Sequence, residues 1–466
     1  MSRLNVAVIG AGQAGLSASH ELRCRGVDHI VLDRSLVPGG RWPDRWESFC
    51  LVTINENCRL PGFPYDGDDP EGFMARDEIA AYLQRYAKSF DAPIEYGVDV
   101  RSITPGTGTE RWVLSTSAGV LCVTAVVVAT GPFQQPKVPP WAAGLPSGIA
   151  QLHSEHYVNP SELPEGPVFV VGTGQSGAQI AEELHEAGRQ VYLGVSRCGR
   201  RPRRYRGRDI HAWVALMRRH AIAHGALRTV GDLESPRDRF TCNPHLSGRN
   251  GGHEIDLRRL AGAGVVLLGR PSGVRGTTVL LDHDLMYNLE HADAAAAQSR
   301  RAVDEFVIAS GIDAPEEETT VDTALPEPPV RSELDLEEAQ VATVVWATGY
   351  RLDFSWIDAP GLCDPYGYPW HQRGITPHAG LAFLGLPWLH TEASSLLLGM
   401  EDDAPYLIEQ FDRNLRRSEP GQTVGSKRAS SPVDAGLLRG RPTTAEFGAG
   451  ISRAAGEPIA GSPRRR

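Results

Sequence analysis

Four short runs of consecutive apolar residues frame the chain: Val6-Ala7-Val8-Ile9, Ala125-Val126-Val127-Val128, Val168-Phe169-Val170-Val171 and Val344-Val345-Trp346-Ala347. A strand with one wet face alternates apolar and polar positions. An unbroken run of this length bounded by turn residues predicts a parallel strand buried on both faces. Two of the runs have nearly the same sequel. After Ile9 come Gly10-Ala11-Gly12-Gln13-Ala14-Gly15, a helical stretch ending near Gly26, and a second strand at His29 to Leu32. After Val171 come Gly172-Thr173-Gly174-Gln175-Ser176-Gly177, a helix to about Ala187 stopped by Gly188, and a strand at Val191 to Val195. The other two runs each close on Ala-Thr-Gly. The predicted class is α/β, with two Rossmann-like, doubly wound, three-layer domains. The acidic, Pro-rich stretch from about Ala314 to Glu338 predicts a surface loop. Residues 416–466 are rich in Ser, Gly, Pro and Arg, which predicts a disordered tail.

Composition narrows the function classes. A length of 466 residues suits two or three domains, and 41% apolar with 22% charged residues is ordinary for a soluble globular protein. The net charge of −10, from 47 basic and 57 acidic residues, argues against a nucleic-acid binder. No apolar stretch reaches the ~18 residues needed to span a bilayer. The chain enters its first strand at Val6, so no signal peptide is expected, and the expected compartment is the cytoplasm. Seven scattered cysteines without Cys-x-x-Cys disfavour a disulfide scaffold, a zinc cluster and a dithiol redox centre. No metal-ligand spacing is found.

The two glycine patterns carry the chemistry. In Gly10-x-Gly12-x-x-Gly15 the first glycine permits the tight strand-to-helix turn. The second admits a pyrophosphate, and the third lets helix and strand pack closely. The pyrophosphate then rests on a helix N-terminus, whose free N–H groups and dipole favour negative charge. Asp33, at the end of the second strand, is placed to accept hydrogen bonds from a ribose. The following Pro38-Gly39-Gly40-Arg41-Trp42 favours FAD over a nicotinamide nucleotide, with Arg41 and Trp42 as further cofactor contacts. Gly172-x-Gly174-x-x-Gly177 repeats the geometry, but Ser196-Arg197-Cys198-Gly199-Arg200 stands where a ribose acid would be. An acid there repels a 2′-phosphate and arginine pairs with it, so NADPH is expected, with Arg197 the leading contact and Arg200 the second. Ser176, Gln175 and Gln13 can reach the pyrophosphates.

FAD and NADPH on one chain imply hydride transfer into a flavin, which passes electrons to a dithiol, a separate acceptor or oxygen. The missing Cys-x-x-Cys removes the first. His153-Ser-Glu-His-Tyr157 and Ala347-Thr-Gly-Tyr350, flanking the second glycine unit, bring a family into view. Over roughly residues 5–415 the chain resembles the class B flavin monooxygenase superfamily. It departs in one place, where Ser147-Gly148-Ile149 stands for the family's Phe-x-Gly. Trp46-Glu-Ser-Phe-Cys-Leu-Val-Thr-Ile-Asn55 and Gly385-Leu-Pro-Trp-Leu-His390 also resemble a little-characterised bacterial flavoprotein group that looks to be encoded near nitrilase-type enzymes.

The resemblance implies an FAD domain made of 1–165 and 340–415, with an NADPH domain, 166–339, inserted. It implies that the reduced flavin takes up oxygen at its C4a carbon and oxygenates a small organic substrate. N-hydroxylation is the first expectation and Baeyer–Villiger oxidation the second. A rival is a reductase serving another acceptor. Asn55 is implied to be the catalytic amide beside the flavin, with Asn57 competing for the role. His153, Thr348 and Gly349 are implied to face the nucleotides or the linker between domains. Leu386 is implied to lie near the flavin ring, ahead of a helix from Ala393 to Met400. Trp356, Tyr205 and Trp213 belong to a pocket or to the core. The oligomeric state is open.

Overall fold

The computed structural model describes residues 5–37, 39–317 and 327–417. The tail expected at 416–466 lies outside the described residues from 418 onward, as do 318–326 of the acidic loop and Pro38.

Along the chain, strand Val6–Ile9 (β1) leads into helix Gln13–Cys24 (α1) and strand His29–Asp33 (β2). Helix Arg76–Ser89 (α2) and strand Ile94–Tyr96 (β3) follow. An antiparallel meander comes next, Val100–Thr107 (β4), Glu110–Thr116 (β5) and Gly119–Val123 (β6), and then Ala125–Val128 (β7). The second half begins with Ala150–His153 (β8), Val168–Val171 (β9), helix Gln175–Glu186 (α3) and Val191–Gly194 (β10). Helices Ile210–Ala223 (α4) and Leu257–Ala263 (α5) precede strand Val266–Leu268 (β11). Strands Pro271–Arg275 (β12) and Thr278–Leu281 (β13), the long helix Leu285–Ser310 (α6) and strand Glu333–Asp335 (β14) come next. Thr343–Trp346 (β15), Leu381–Phe383 (β16) and helix Leu397–Arg417 (α7) complete the described chain.

Two five-stranded parallel sheets result. The first has the order β16-β7-β1-β2-β3 and the second β8-β15-β9-β10-β11. Each apolar run is buried on both faces, as its pattern requires. Val6 and Val8 pack with residues of α1, α2 and α7, whereas Ala7 and Ile9 pack with Trp112, Phe354 and Tyr368. In the second sheet Val168 and Val170 face α3, α5 and α6, and Phe169 and Val171 face Val279, Leu281 and Leu334. So each sheet carries helices on one side and a three-stranded meander on the other, β4-β5-β6 for the first and β12-β13-β14 for the second. In both sheets strand order reverses direction beside the first strand of the glycine unit. The C-terminal ends of β1 and β9 are therefore switch points, where open α/β sheets bind ligands.

Three expectations need correction. The sheets do not divide the chain at 165/166 and 339/340. β8 and β15 pair with each other, and β15 with β9, so residues 150–153 and 343–346 belong to the second sheet. The stretch 314–338 is not wholly loop, because Glu333–Asp335 is the edge strand β14, pairing with β13. The helix read as Ala393 to Met400 is a 3-10 turn at Glu392–Ser395 followed by α7, which starts at Leu397.

Candidate functional site

The first glycine loop opens onto a cavity of about 520 Å3. Gly10 has φ +103°, and a Cβ there would lie 2.6 Å from the carbonyl oxygen of Ala129. A Cβ on Gly15 would lie 1.7 Å from the oxygen of Gly10, so this glycine is the packing contact between α1 and β1. A Cβ on Gly12 would meet nothing within 4 Å, because this position faces the cavity. Gly12 is also the N-cap of α1 and supplies no side-chain cap, which leaves the first N–H groups of the helix for a ligand. Asp33 is buried. Its Oδ2 accepts from Ala11 N–H at 2.5 Å and its Oδ1 from Ser35 N–H at 2.7 Å. Each carboxylate oxygen keeps a lone pair for a ribose hydroxyl. An uncapped helix start, a buried acid and a cavity in the usual ligand range fit a dinucleotide such as FAD.

Gly10, Gly12, Gln13, Asp33, Arg41 and Trp42 all line this cavity. Trp42 Nε1 donates to Gln13 Oε1 at 2.9 Å, and Gln13 Nε2 donates to the Ser395 carbonyl at 3.1 Å, which ties the Gly39-Gly40 loop to the approach of α7. Arg41 pairs with Glu155 and lies 3.4 Å from Asp44, bridging from the first nucleotide unit to the chain after β8. Sequence reasoning missed Arg34, Arg45, the Val98–Arg101 segment, the Thr130–Gln135 turn and Asp353, which complete the lining. The Ala-Thr-Gly close of the second apolar run was the available signal for Thr130. The others are reached by no local pattern. Trp356 also lines the cavity. Tyr205 and Trp213 lie in a separate apolar cluster, with Trp213 Nε1 donating to the Tyr205 carbonyl at 2.8 Å.

The second loop has the same backbone and different company. Gly172 has φ +100°, and a Cβ on Gly177 would lie 1.9 Å from the Gly172 oxygen. Gly174 caps α3 without a side-chain cap. Ser196, one residue beyond the register position of Asp33, makes the corresponding contact to the glycine loop. Its Oγ accepts from Thr173 N–H at 3.2 Å, and its own N–H donates to Thr173 Oγ1 at 2.9 Å. Arg197 follows on the exposed side and makes no ion pair with another described residue. The Ser176 hydroxyl is half-buried beside Gly177. A strap of chain, residues 242–247, crosses this loop. His245 Nε2 hydrogen-bonds the Thr173 carbonyl at 2.6 Å, and the Gln175 amide bonds the Leu246 backbone.

Several expected contacts are engaged elsewhere. Arg200 is held by Glu254, by Asp293 at 2.9 Å and by Asp256 at 3.5 Å, so its charge is already matched by carboxylates. Both ends of the Gln175 amide bond the strap at Leu246. His153 is buried and uses both ring nitrogens, Nε2 with the Gly349 carbonyl at 3.1 Å and Nδ1 accepting from Glu155 N–H at 3.2 Å. Burial lowers its pKa and keeps the ring neutral. The Thr348 hydroxyl donates to the Lys137 carbonyl, and Lys137 N–H donates to the Gly349 carbonyl at 2.8 Å. This trio fastens the chain as it leaves β15 and crosses back to the first sheet. Leu386 is a core residue, 1% exposed, while its neighbour Gly385 lines the cavity. Asn55 is buried away from the cavity, its Nδ2 donating to the Asp69 carbonyl at 2.9 Å and its Oδ1 accepting from Met74 N–H at 2.8 Å. Both ends of that amide hold a loop together. Asn57 likewise donates to the His211 carbonyl at 2.9 Å.

The profile of the pyridine nucleotide-disulphide oxidoreductase family matches residues 7–232. A CzcO-like oxidoreductase of Geobacillus kaustophilus is 33% identical over 412 residues, covering 88% of this chain and 98% of the relative. The chain belongs to the CzcO-like oxidoreductases. A Baeyer-Villiger monooxygenase of Streptomyces coelicolor is 32% identical over 186 residues, 39% of this chain and 36% of that protein. A solved flavin-containing monooxygenase from Stenotrophomonas maltophilia shares the fold at 21% identity and a TM-score of 0.58, covering 89% of this chain and 99% of that one. The family is one of oxidoreductases, and this CzcO-like oxidoreductase is similar to flavin monooxygenases over part of its sequence and in its fold. Among the described residues no helix is long and apolar enough to cross a membrane, and no cluster of three or more His, Cys, Asp or Glu could hold a metal ion.

Proposed function

We propose that this CzcO-like oxidoreductase binds FAD on the first glycine loop and NADPH on the second, and monooxygenates a small organic substrate at nitrogen. The observation that carries the coenzyme choice is the exchange of the Asp33 carboxylate for the Ser196 hydroxyl as the side chain bonded to the glycine loop, with Arg197, which makes no ion pair with another described residue, next in the chain. A carboxylate at 196 would repel a 2′-phosphate, whereas a hydroxyl beside a guanidinium accepts one.

When bound, the flavin supplies hydride acceptance and oxygen activation. The chain supplies the rest. The N–H groups at the starts of α1 and α3, which have no side-chain cap, would hold the two pyrophosphates, and Asp33 would accept from the ribose hydroxyls of FAD. Phe133 and Trp356 give the cavity wall apolar surface that excludes water from the reacting centre. The Arg41–Glu155 pair and the His153–Gly349 bond hold the two units in register. Nitrogen as the oxidised atom rests on the resemblance to the bacterial flavoprotein group. Baeyer–Villiger oxidation of a ketone is the second reading, favoured by the similarity to the Streptomyces protein.

Stopped-flow absorbance tests the proposal. The yellow holoenzyme is reduced anaerobically with NADPH, and separately with NADH, then mixed with oxygenated buffer. Faster reduction by NADPH and a near-ultraviolet transient lasting seconds are expected, with amines then consumed ahead of ketones. Direct reoxidation without a transient, alongside fast turnover on a quinone, would replace the monooxygenase with a reductase.

A further inference from the structure

Two cysteines 44 positions apart in the sequence meet on the second glycine loop. The segment leaving β10, residues 197–200, runs beside residues 242–245, joined by a parallel bridge between Arg200 and His245 and by His245 N–H donating to the Gly199 carbonyl at 2.8 Å. Cys198 Sγ lies 3.3 Å from the Asn243 carbonyl oxygen, and Cys242 Sγ lies 3.7 Å from that of Arg197. Each thiol thus contacts the backbone flanking the other. Neighbouring extended segments sit about 4.8 Å apart, inside the Cα range that a disulfide needs. Cys198 is buried and Cys242 half-buried. The same pair sits over the nucleotide loop, because a Cβ on Gly174 would lie 3.9 Å from Cys242 Cβ, whereas its counterpart Gly12 faces open space.

We propose that Cys198 and Cys242 form a peroxide-responsive dithiol whose disulfide pins the 242–246 strap over the second glycine loop and closes it to the nicotinamide nucleotide. The closing effect rests on the reading of that loop as the NADPH site.

The chemistry divides between the two sulfurs. Interaction with Cys198 lowers the pKa of Cys242, while interaction with Cys242 and burial raise that of Cys198, so Cys242 is the more readily ionised sulfur and the attacking one. Its sulfur attacks hydrogen peroxide, the O–O bond breaks, one water leaves after protonation, and Cys242 becomes a sulfenic acid. The Cys198 sulfur then attacks Cys242, the S–O bond breaks and a second water leaves. The two thiols lose two electrons and peroxide is reduced to two waters. A dithiol reductant reverses the bond. Peroxide is what a flavin enzyme of this superfamily releases when oxygen is reduced without transfer to substrate. The switch would therefore halt NADPH consumption when coupling fails. Opening requires the strap to lift from Thr173 and Gln175, and a covalent tie to residue 198 blocks that movement.

The test uses the FAD-loaded full chain, treated with hydrogen peroxide and afterwards with dithiothreitol. Peptide mapping without reduction should show a 198–242 cross-linked peptide that dithiothreitol removes. NADP+ titration should show roughly tenfold weaker binding in the oxidised protein, as expected when about one molecule in ten stays open. Cys242→Ser and, as a second variant, Cys198→Ala should bind NADP+ like the reduced wild type and lose all response to peroxide. Absence of the cross-linked peptide overturns the dithiol. A cross-link with unchanged NADP+ affinity overturns the gate. If the reduced protein binds neither NADP+ nor NAD+, the nucleotide-site reading falls and the gate with it, while the peptide map still decides the bond.

Discussion

The two glycine loops of this chain share a backbone and differ in what stands against it. In both, the third glycine is filled by the oxygen of the first, and the helix begins without a side-chain cap. The first loop looks into an open cavity with a buried carboxylate at its back. The second loop has a hydroxyl making the carboxylate's contact, an arginine beside it with no ion pair among the described residues, and a strap across its front. The glycines therefore build the same uncapped helix start twice, and what differs between the two loops is the set of residues around it.

The largest expected effect separates the packing glycine from the ligand glycine. Gly15→Ala drives a Cβ into the Gly10 backbone and should destabilise the protein by about 3 kcal/mol or more, seen as a lowered thermal midpoint with or without FAD. Gly12→Ala meets no protein atom. It should keep the apoprotein midpoint and lose FAD on gel filtration. Equal midpoints for the two variants would erase the distinction.

Coenzyme choice comes next. Ser196→Asp should restore the acid of the first loop and turn the preference from NADPH to NADH. Arg197→Ala should lower kcat/KM for NADPH by about ten- to a hundredfold, the worth of a charge-assisted hydrogen bond, and leave NADH unaffected. A uniform loss with both coenzymes would remove Arg197 from phosphate recognition.

Acid should act on the second loop by way of its strap. Burial lowers the pKa of His245, so the folded protein holds it neutral while the unfolded chain protonates it near pH 6.5. Stability from this group is complete above pH 6.5 and falls as pH drops below it, by no more than about 1.4 kcal/mol per pH unit for one proton. His245→Gln should flatten that part of the pH–stability curve, measured by urea unfolding. An unchanged slope would assign the acid sensitivity to other histidines.

The smallest effect is the control. Arg200→Gln should leave the NADPH-to-NADH ratio within about twofold, because three carboxylates already match the guanidinium. A large change in the ratio would return Arg200 to the phosphate site.

Some of this was readable before any coordinates. Val6–Ile9 and Val168–Val171 are strands at the predicted residues, because burial on both faces leaves a continuous apolar run in the sequence. The helix starts after each loop were equally plain, since glycine at those spacings serves a local backbone need. Strand membership was not. Thr343–Trp346 looked like the return to the first domain, yet it pairs between β8 and β9, and a short apolar run carries no label for its sheet. The role expected of Asn55 met the same limit. An amide that bridges the Asp69 and Met74 backbones has the same sequence signature as one that faces a flavin.

By itself, then, the sequence determined what short-range chemistry dictates: two βαβ units, each with a glycine turn into a helix that lacks a side-chain cap, an acid at the end of one second strand and a basic segment after the other. Only the tertiary structure decided which charges are paired among the described residues. Arg197 and Arg200 lie three residues apart, and the partners that distinguish them come from residues 254, 256 and 293. It also decided that Cys198 and Cys242 are neighbours, through the strap that crosses the second loop. The physical reason is the same in both cases. Backbone conformation follows from residues a few positions away, whereas ion pairing and thiol contact depend on segments brought together by burying apolar surface, which leaves no periodic trace in the chain.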